Sequence, residues 1–326
     1  MTNEASKLTL GSGDNSSFKM VQLTKQNVEN IQAVTNYPRN FWWNASAHGS
    51  DFKHLLYAFS YKDATPITQI NLKIDKPTTI ETLGFDTKYH DNNKEKQKFW
   101  YKIEPSLANN NLTITTLNLQ NDAQAEISAP GSGKTYSITT LNHDAIRLNL
   151  KTGSGGTINV TTLNQKSGTT EISGDNIIIG TLNNNTGGTI DNKSGTITTL
   201  TSNQGGNITN AGTITSLTYT AAPTTKAIQT KASTDSITNT GTITTFTNNG
   251  GHITNNGNIT NLTNSNGNVN NQSGTITTFT NNGGNLTNTG SIQTYTQESG
   301  NTMQSGGTIQ TLTQKGGNFT YQGGTI

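Results

Sequence analysis

The sequence predicts an all-β chain: a single-stranded parallel β-helix with rungs of about 16 to 17 residues, behind a mixed N-terminal cap. Three observations carry this reading. The chain is poor in apolar material for its size, with 29% hydrophobic and 12% charged residues over 326 positions and 34 glycines. That is too little for a conventional globular core, and the low charge also argues against ordinary disorder. An apolar anchor of the form I-x-x-[LFY] recurs, from Ile114/Leu117 and Ile138/Leu141 through Ile197/Leu200 and Ile243/Phe246 to Ile309/Leu312. Between anchors lie Thr- and Ile-rich stretches punctuated by Gly-Gly, Asn-Gly, Ser-Gly and Thr-Gly pairs, which mean short strands joined by tight turns. A unit of that length spans about 50 Å when extended, too long for one strand and suited to one coil of a stack in which each rung supplies a few residues to a continuous core.

Residues 1–66 form the cap region. Within it, "TKQNVENIQAVT" at 24–35 places Val28, Ile31 and Val34 at helical spacing, with Pro38 beyond, and predicts a short helix over the open end of the stack. The β-helix is expected over 67–326, because "IDKPTTIETL" already carries Ile74, Ile80 and Leu83 in the anchor pattern. The charged segment 86–106 is expected to leave the rungs as an excursion.

A second apolar residue precedes the later anchors by six or seven positions: Ile253, Val269, Leu286, Met303 and Phe319. Between Ile214 and Ile243 the step swells, which predicts a loop at 218–235 standing out from the stack. The chain stops at "GGTI", in mid-repeat, so the array is expected to continue beyond 326.

One motif points elsewhere at first sight. "APGSGKTYS" at 129–137 resembles a phosphate-binding loop, in which backbone N–H groups cradle phosphates and the lysine reaches their oxygens. The opening glycine is replaced by Ser128, and the residues after Thr135, "YSITTL", are β-branched rather than helical in pattern. A second copy, "GSGGT" at 153–157, stands at the same distance before the next anchor, with Gly156 in the place of Lys134. The segment therefore reads as a turn of the repeat, and no nucleotide is expected there.

Other chemistry finds little support in the residues. A net charge of +2 leaves no nucleic-acid footprint. Cysteine is absent, and the five histidines have no metal-ligand spacing. After residue 105 the few carboxylates never repeat at one rung position, so neither general acid–base catalysis nor calcium-binding rungs are expected. No catalytic, cofactor or metal residue is assigned.

Two sets of residues stand out as candidate partner contacts. One is Tyr219, Pro223, Lys226 and Lys231, on the expected loop; the other is the aromatic set Trp42, Trp43, Trp100 and Tyr101 in the cap and excursion.

Units such as "GTITTFTNNGGNLTNTGSIQTYT" resemble the Gly/Asn/Thr repeats of type V autotransporter passengers of Helicobacter and Campylobacter type, the vacuolating-cytotoxin-like proteins among them. The resemblance covers residues 107–326 and lies in composition and period. It implies a right-handed β-helix, export to the cell surface or medium, and a membrane connection only through a C-terminal barrel outside this chain. Toxin activity is not implied, because "MTNEASKLTLGSGDNSSFKM" lacks the apolar, glycine-zipper segment on which it depends.

The expected function is that of an adhesin-like passenger, a non-enzymatic, elongated scaffold that meets a host surface protein or glycan, or its own copies. A β-helical carbohydrate-active enzyme and an ice-binding or phage-fibre rod are the alternatives.

Overall fold

A computed structural model describes residues 7–10, 18–21, 40–44, 51–61, 69–74, 76–89, 100–105, 110–151, 155–222 and 236–326. It is an all-β, single-stranded parallel β-solenoid with a less regular N-terminal region. The chain divides into two compact units, Met1–Asn164 and Gln165–Ile326.

In the first unit an antiparallel pair, Lys7–Leu10 with Phe18–Val21, precedes the parallel strands. Asn40–Asn44, Gln69–Ile74, Trp100–Pro105, Gln124–Ser128 and Arg147–Lys151 then pair successively in one column. Asp51–Tyr61, Thr78–Tyr89, Leu112–Asn121 and Thr135–Asp144 form another. Among the described residues the parallel ladder begins at Asn40, inside the segment expected to be a cap, because 40–44 and 51–61 supply the same two strands per rung as later coils. The excursion is shorter than 86–106, since 78–89 and 100–105 are rung strands. The helix expected over 24–35 lies outside the described residues.

In the second unit the anchors stack as the spacing predicts. Ile179, Ile197, Ile214, Ile243, Ile259, Ile276, Ile292 and Ile309 are register partners in turn, and so are the Leu, Phe and Tyr residues three positions later. Both rows are buried except at the last rung, where Leu312 is half-buried. Along the column from Asn192 to Gln304 equivalent residues of successive rungs are 16, 17 or 18 positions apart, with one step of 29, and the step from Thr170 to Ile190 is 20. In each rung the residues on either side of the I-x-x-L centre, such as Thr198 and Thr199, both face outward while Ile197 and Leu200 face in. The two-residue alternation of a strand slips there by one, so the coil turns a corner.

A second row runs Ile190, Ile208, Ile237, Ile253, Val269, Leu286 and then Thr302, not the expected Met303. The register is set by the side chain two positions on. Asn288 donates to Gln304 Oε1 at 2.8 Å, which fixes Gln304 in its column and puts Thr302 inward, where its hydroxyl meets that of Tyr295.

That column is a buried amide ladder. Asn192, Asn210, Asn239, Asn255, Asn271 and Asn288 each donate from Nδ2 to the side-chain oxygen one rung on, at 2.7 to 2.9 Å. All are inaccessible to solvent. Most also bond the carbonyl of a turn glycine, as Asn192 does to Gly195 at 3.0 Å and Asn255 to Gly257 at 3.2 Å. A second ladder follows the Leu/Phe anchors, with Asn248 to Asn264 at 2.8 Å and Asn264 to Asn281 at 3.0 Å. Apart from Asn192 Oδ1 at the start of the first ladder and the missing step between Asn281 and Gln297 in the second, the ladders meet the demand that a buried amide place its polar atoms on partners, and they pin the turns. A side chain at those turns has no room: a Cβ on Gly257 would lie 2.3 Å from the Gly241 carbonyl oxygen.

Candidate functional site

With the amides of two columns turned inward, the outward positions of the second unit are left to threonine. One row is unbroken: Thr201, Thr218, Thr247, Thr263, Thr280, Thr296 and Thr313 are successive register partners. Two residues earlier runs a parallel row of Thr199, Ser216, Thr245, Asn261, Thr278, Thr294 and Thr311. Their side chains are half-buried or exposed. Strand geometry spaces them about 4.8 Å along the stack and about 6.7 Å across it, and the branched Cβ restricts χ1 of every threonine among them. Among the described residues none of these hydroxyls is hydrogen-bonded to protein.

A neighbouring outward row is different, because it is bonded to itself. Asn285 donates to Asn268 at 2.8 Å, Asn301 to Asn285 at 3.0 Å and Asn318 to Asn301 at 3.0 Å. Asn268 Nδ2 lies 2.9 Å from Nδ1 of His252, which extends the row by one rung. In the first unit Asn118, Asn142 and Asn164 form a similar half-buried chain, at 2.9 and 3.1 Å.

The residues singled out in the sequence fall into three groups. Tyr101 is core: its ring stacks on Phe85 at 4.5 Å, it accepts from Thr87 Oγ1 at 3.0 Å and donates to the Asp86 carbonyl at 2.7 Å. Tyr219 is also fully buried, in the second ladder's column between Ser202 and Asn248, and donates to the Gly206 carbonyl at 2.8 Å. It fits because Gly251 lacks a Cβ, which would lie 2.4 Å from the ring. Burial corrects the expectation that these two tyrosines face a partner. Trp100 is half-buried on a rung strand. Trp42 and Trp43 lie on Asn40–Asn44, which pairs with Gln69–Ile74; Trp100–Pro105 pairs with that same strand on its far side. The aromatic segments are therefore two rungs apart in one column. Pro223, Lys226 and Lys231 lie outside the described residues.

The "GSGKT" segment is a turn. Gly133 has φ +73°, Lys134 N–H donates to the Gly131 carbonyl at 3.1 Å, and Thr135 opens the strand Thr135–Asp144. Thr157 N–H donates to the Lys134 carbonyl at 3.0 Å, which sets Lys134 beside Gly156 as the repeat alignment requires. A strand stands where a phosphate site needs a helix N-terminus.

Charged groups of the solenoid pair across rungs: Lys193 with Glu171 at 2.8 Å, Lys151 with Glu126 at 2.5 Å and Lys315 with Glu298 at 2.7 Å. The bond from Glu171 holds the Lys193 ammonium above its ordinary pKa. Burial pushes the Tyr136 phenol up, with the Glu104 carboxylate adding to it, and pushes the His143 imidazole down to about 4. These are core groups that the fold keeps neutral. Among the described residues no three His, Asp or Glu side chains gather as a metal site, and no helix is long and apolar enough to cross a membrane.

No family model, curated protein or solved structure matches the chain. The outward rows are only partly legible in the sequence. Threonine abundance is plain there, but abundance alone does not separate outward threonine from inward asparagine. Parity does so: Asn two positions after an inward Ile, Leu or Phe shares its face.

Proposed function

We propose that this chain is an adhesin-like passenger, an exported non-enzymatic scaffold that works by presenting uncharged solenoid faces to a host surface protein or glycan. The observation that supports the reading is the pair of in-register threonine rows, whose hydroxyls are held at fixed spacing and, among the described residues, are not bonded to protein. Such a surface offers many weak, equivalent donors and acceptors to a partner that also displays hydroxyl or amide groups, and repetition raises the total affinity above that of any single contact. The resemblance of residues 107–326 to autotransporter passengers adds export and surface display to this reading.

The test is binding of fluorescently labelled protein to animal epithelial cells and to arrays of immobilised glycans. Saturable binding that persists after the cell medium is exchanged is expected. Absence of binding on both, together with release of sugars from a polysaccharide panel, would replace this reading with that of a carbohydrate-active enzyme.

A further inference from the structure

We infer that the double threonine row of the second unit is a docking face for a second copy of this chain, laid face to face. The inference does not depend on host binding; it rests on four features of the face itself.

The first is unused hydrogen-bonding capacity. Between Thr199 and Thr313 the two rows carry a hydroxyl at nearly every position, none of them bonded to protein among the described residues. The adjacent asparagine row, by contrast, has its amides engaged with one another from Asn268 to Asn318. The second feature is self-complementarity. A hydroxyl both donates and accepts, so a row can pair with an identical row in either direction, as an isologous two-fold contact requires.

The third feature is the repeat. Seven rungs run from Thr201 to Thr313 in continuous register. A partner with another axial spacing drifts out of step within a few rungs, whereas a second copy has the same spacing by construction and stays matched along the whole row. The fourth is charge. From residue 236 onward, which covers the five rungs from Thr247 to Thr313, the only charged side chains are Glu298 and Lys315, and they bond each other at 2.7 Å. Over those five rungs no like-charge barrier opposes the approach of two such faces. Side chains whose χ1 is already restricted lose little freedom on contact.

The size of the face sets the strength. Seven rungs at about 4.8 Å, and the four residues from the corner to the inward asparagine at about 3.3 Å each, give a patch of roughly 34 by 13 Å. Two such patches bury about 900 Å² in total, in the range of weak and transient contacts. The dimer is therefore reversible, with dissociation in the micromolar to millimolar range.

Analytical ultracentrifugation of the full chain from micromolar to near-millimolar concentration tests this. The wild type should shift reversibly from the mass of one chain toward that of two. The pair Thr263→Lys with Thr280→Lys, which sets four ammonium groups against one another in the dimer, should weaken association at least 100-fold. Thr263→Val with Thr280→Val keeps the shape and removes the hydroxyls, and should weaken it about tenfold. Gln272→Lys with Asn282→Lys adds the same charge at exposed turns and should leave it within threefold of wild type. Circular dichroism shows whether each variant keeps the strand content of the wild type. A wild type that stays monomeric, or a dimer that ignores the threonine substitutions, overturns the inference. Thermal hysteresis by a strict monomer, lost in Thr263→Lys with Thr280→Lys, also overturns it and assigns the face to ordered water.

Discussion

Replacing Asn255 by leucine keeps the branching and much of the volume of the side chain but removes its amide. Asn255 donates to Asn271 Oδ1 at 2.9 Å and to the Gly257 carbonyl at 3.2 Å, and it accepts from Asn239 Nδ2 at 2.8 Å. In the leucine variant the Gly257 carbonyl keeps its bond from Thr275 N–H at 2.9 Å. Asn239 Nδ2 keeps only the long contacts to the Gly241 and Asn258 carbonyls at 3.3 and 3.4 Å. Asn271 Oδ1 loses its donor in a site closed to solvent. One orphaned acceptor costs about 1–3 kcal/mol and one weakened donor about 1 kcal/mol, so the variant loses about 2–4 kcal/mol locally. Solenoids open rung by rung, so the assay is amide hydrogen exchange of the strands Thr242–Asn255 and Asn258–Asn271 in the full chain. Protection there should fall roughly 30- to 1000-fold, at about 1.4 kcal/mol per factor of ten. Asn285→Leu in the exposed row, where water replaces the lost bonds, should change it less than about threefold. Asn255→Asp adds a sign. The introduced carboxyl can donate to Asn271 only when protonated, so burial raises its pKa above the unfolded value near 3.9. The variant then matches wild type most closely below that value and loses stability as pH rises through the raised pKa. Equal protection in Asn255→Leu and wild type would refute the claim that the ladder holds the rungs.

In the second ladder the step from Asn281 to Gln297 is not made: Gln297 Oε1 is buried and unbonded, and the Asn281 amide turns to the Tyr295 hydroxyl instead; Gln297→Asn should restore the spacing and raise stability in chemical denaturation by about 1 kcal/mol. The His143 pKa is held near 4 by burial, below an unfolded value near 6.5, so its stability contribution is complete above pH 6.5 and is lost as pH falls toward 4. His143→Leu, which matches its register partner Leu119, should flatten the melting temperature between pH 4 and 6.5. Gly257→Ala drives a Cβ to 2.3 Å from a backbone oxygen and should cost about 3 kcal/mol, whereas Gly133→Ala, with φ +73° and nothing within 4 Å, should cost only about 1–2 kcal/mol of backbone strain in the same denaturation series.

What the sequence showed was periodicity, and periodicity is carried by the inward apolar rows. The Ile243 to Ile309 anchors, the turn status of "GSGKT" and the 29-residue step were all legible, because each depends on spacing alone. The start of the ladder at Asn40 was not, since 40–44 and 51–61 are richer in aromatic and charged residues than later rungs and lack the I-x-x-L signature. Tyr101 and Tyr219 looked like contact residues because tyrosine is amphipathic. Only the stack shows that each hydroxyl has a backbone carbonyl waiting inside the core. Met303 looked like a core residue by hydropathy and lost that place to Thr302, because a glutamine two residues on completes the amide ladder. Hydropathy ranks side chains singly, and a ladder rewards the one whose neighbours above and below are alike.

The threonine face of the second unit requires its outward residues to stand in register, one per rung, from Thr201 to Thr313. The chain has no cysteine, so Thr247→Cys with Thr313→Cys places two spin labels on outward positions four register steps apart. Pulsed electron spin resonance should give one narrow distance, with the labelled backbone positions about 19 Å apart and the same value in Thr245→Cys with Thr311→Cys. A broad distribution, or a separation beyond about 30 Å, would contradict the stacked rungs and every face built on them.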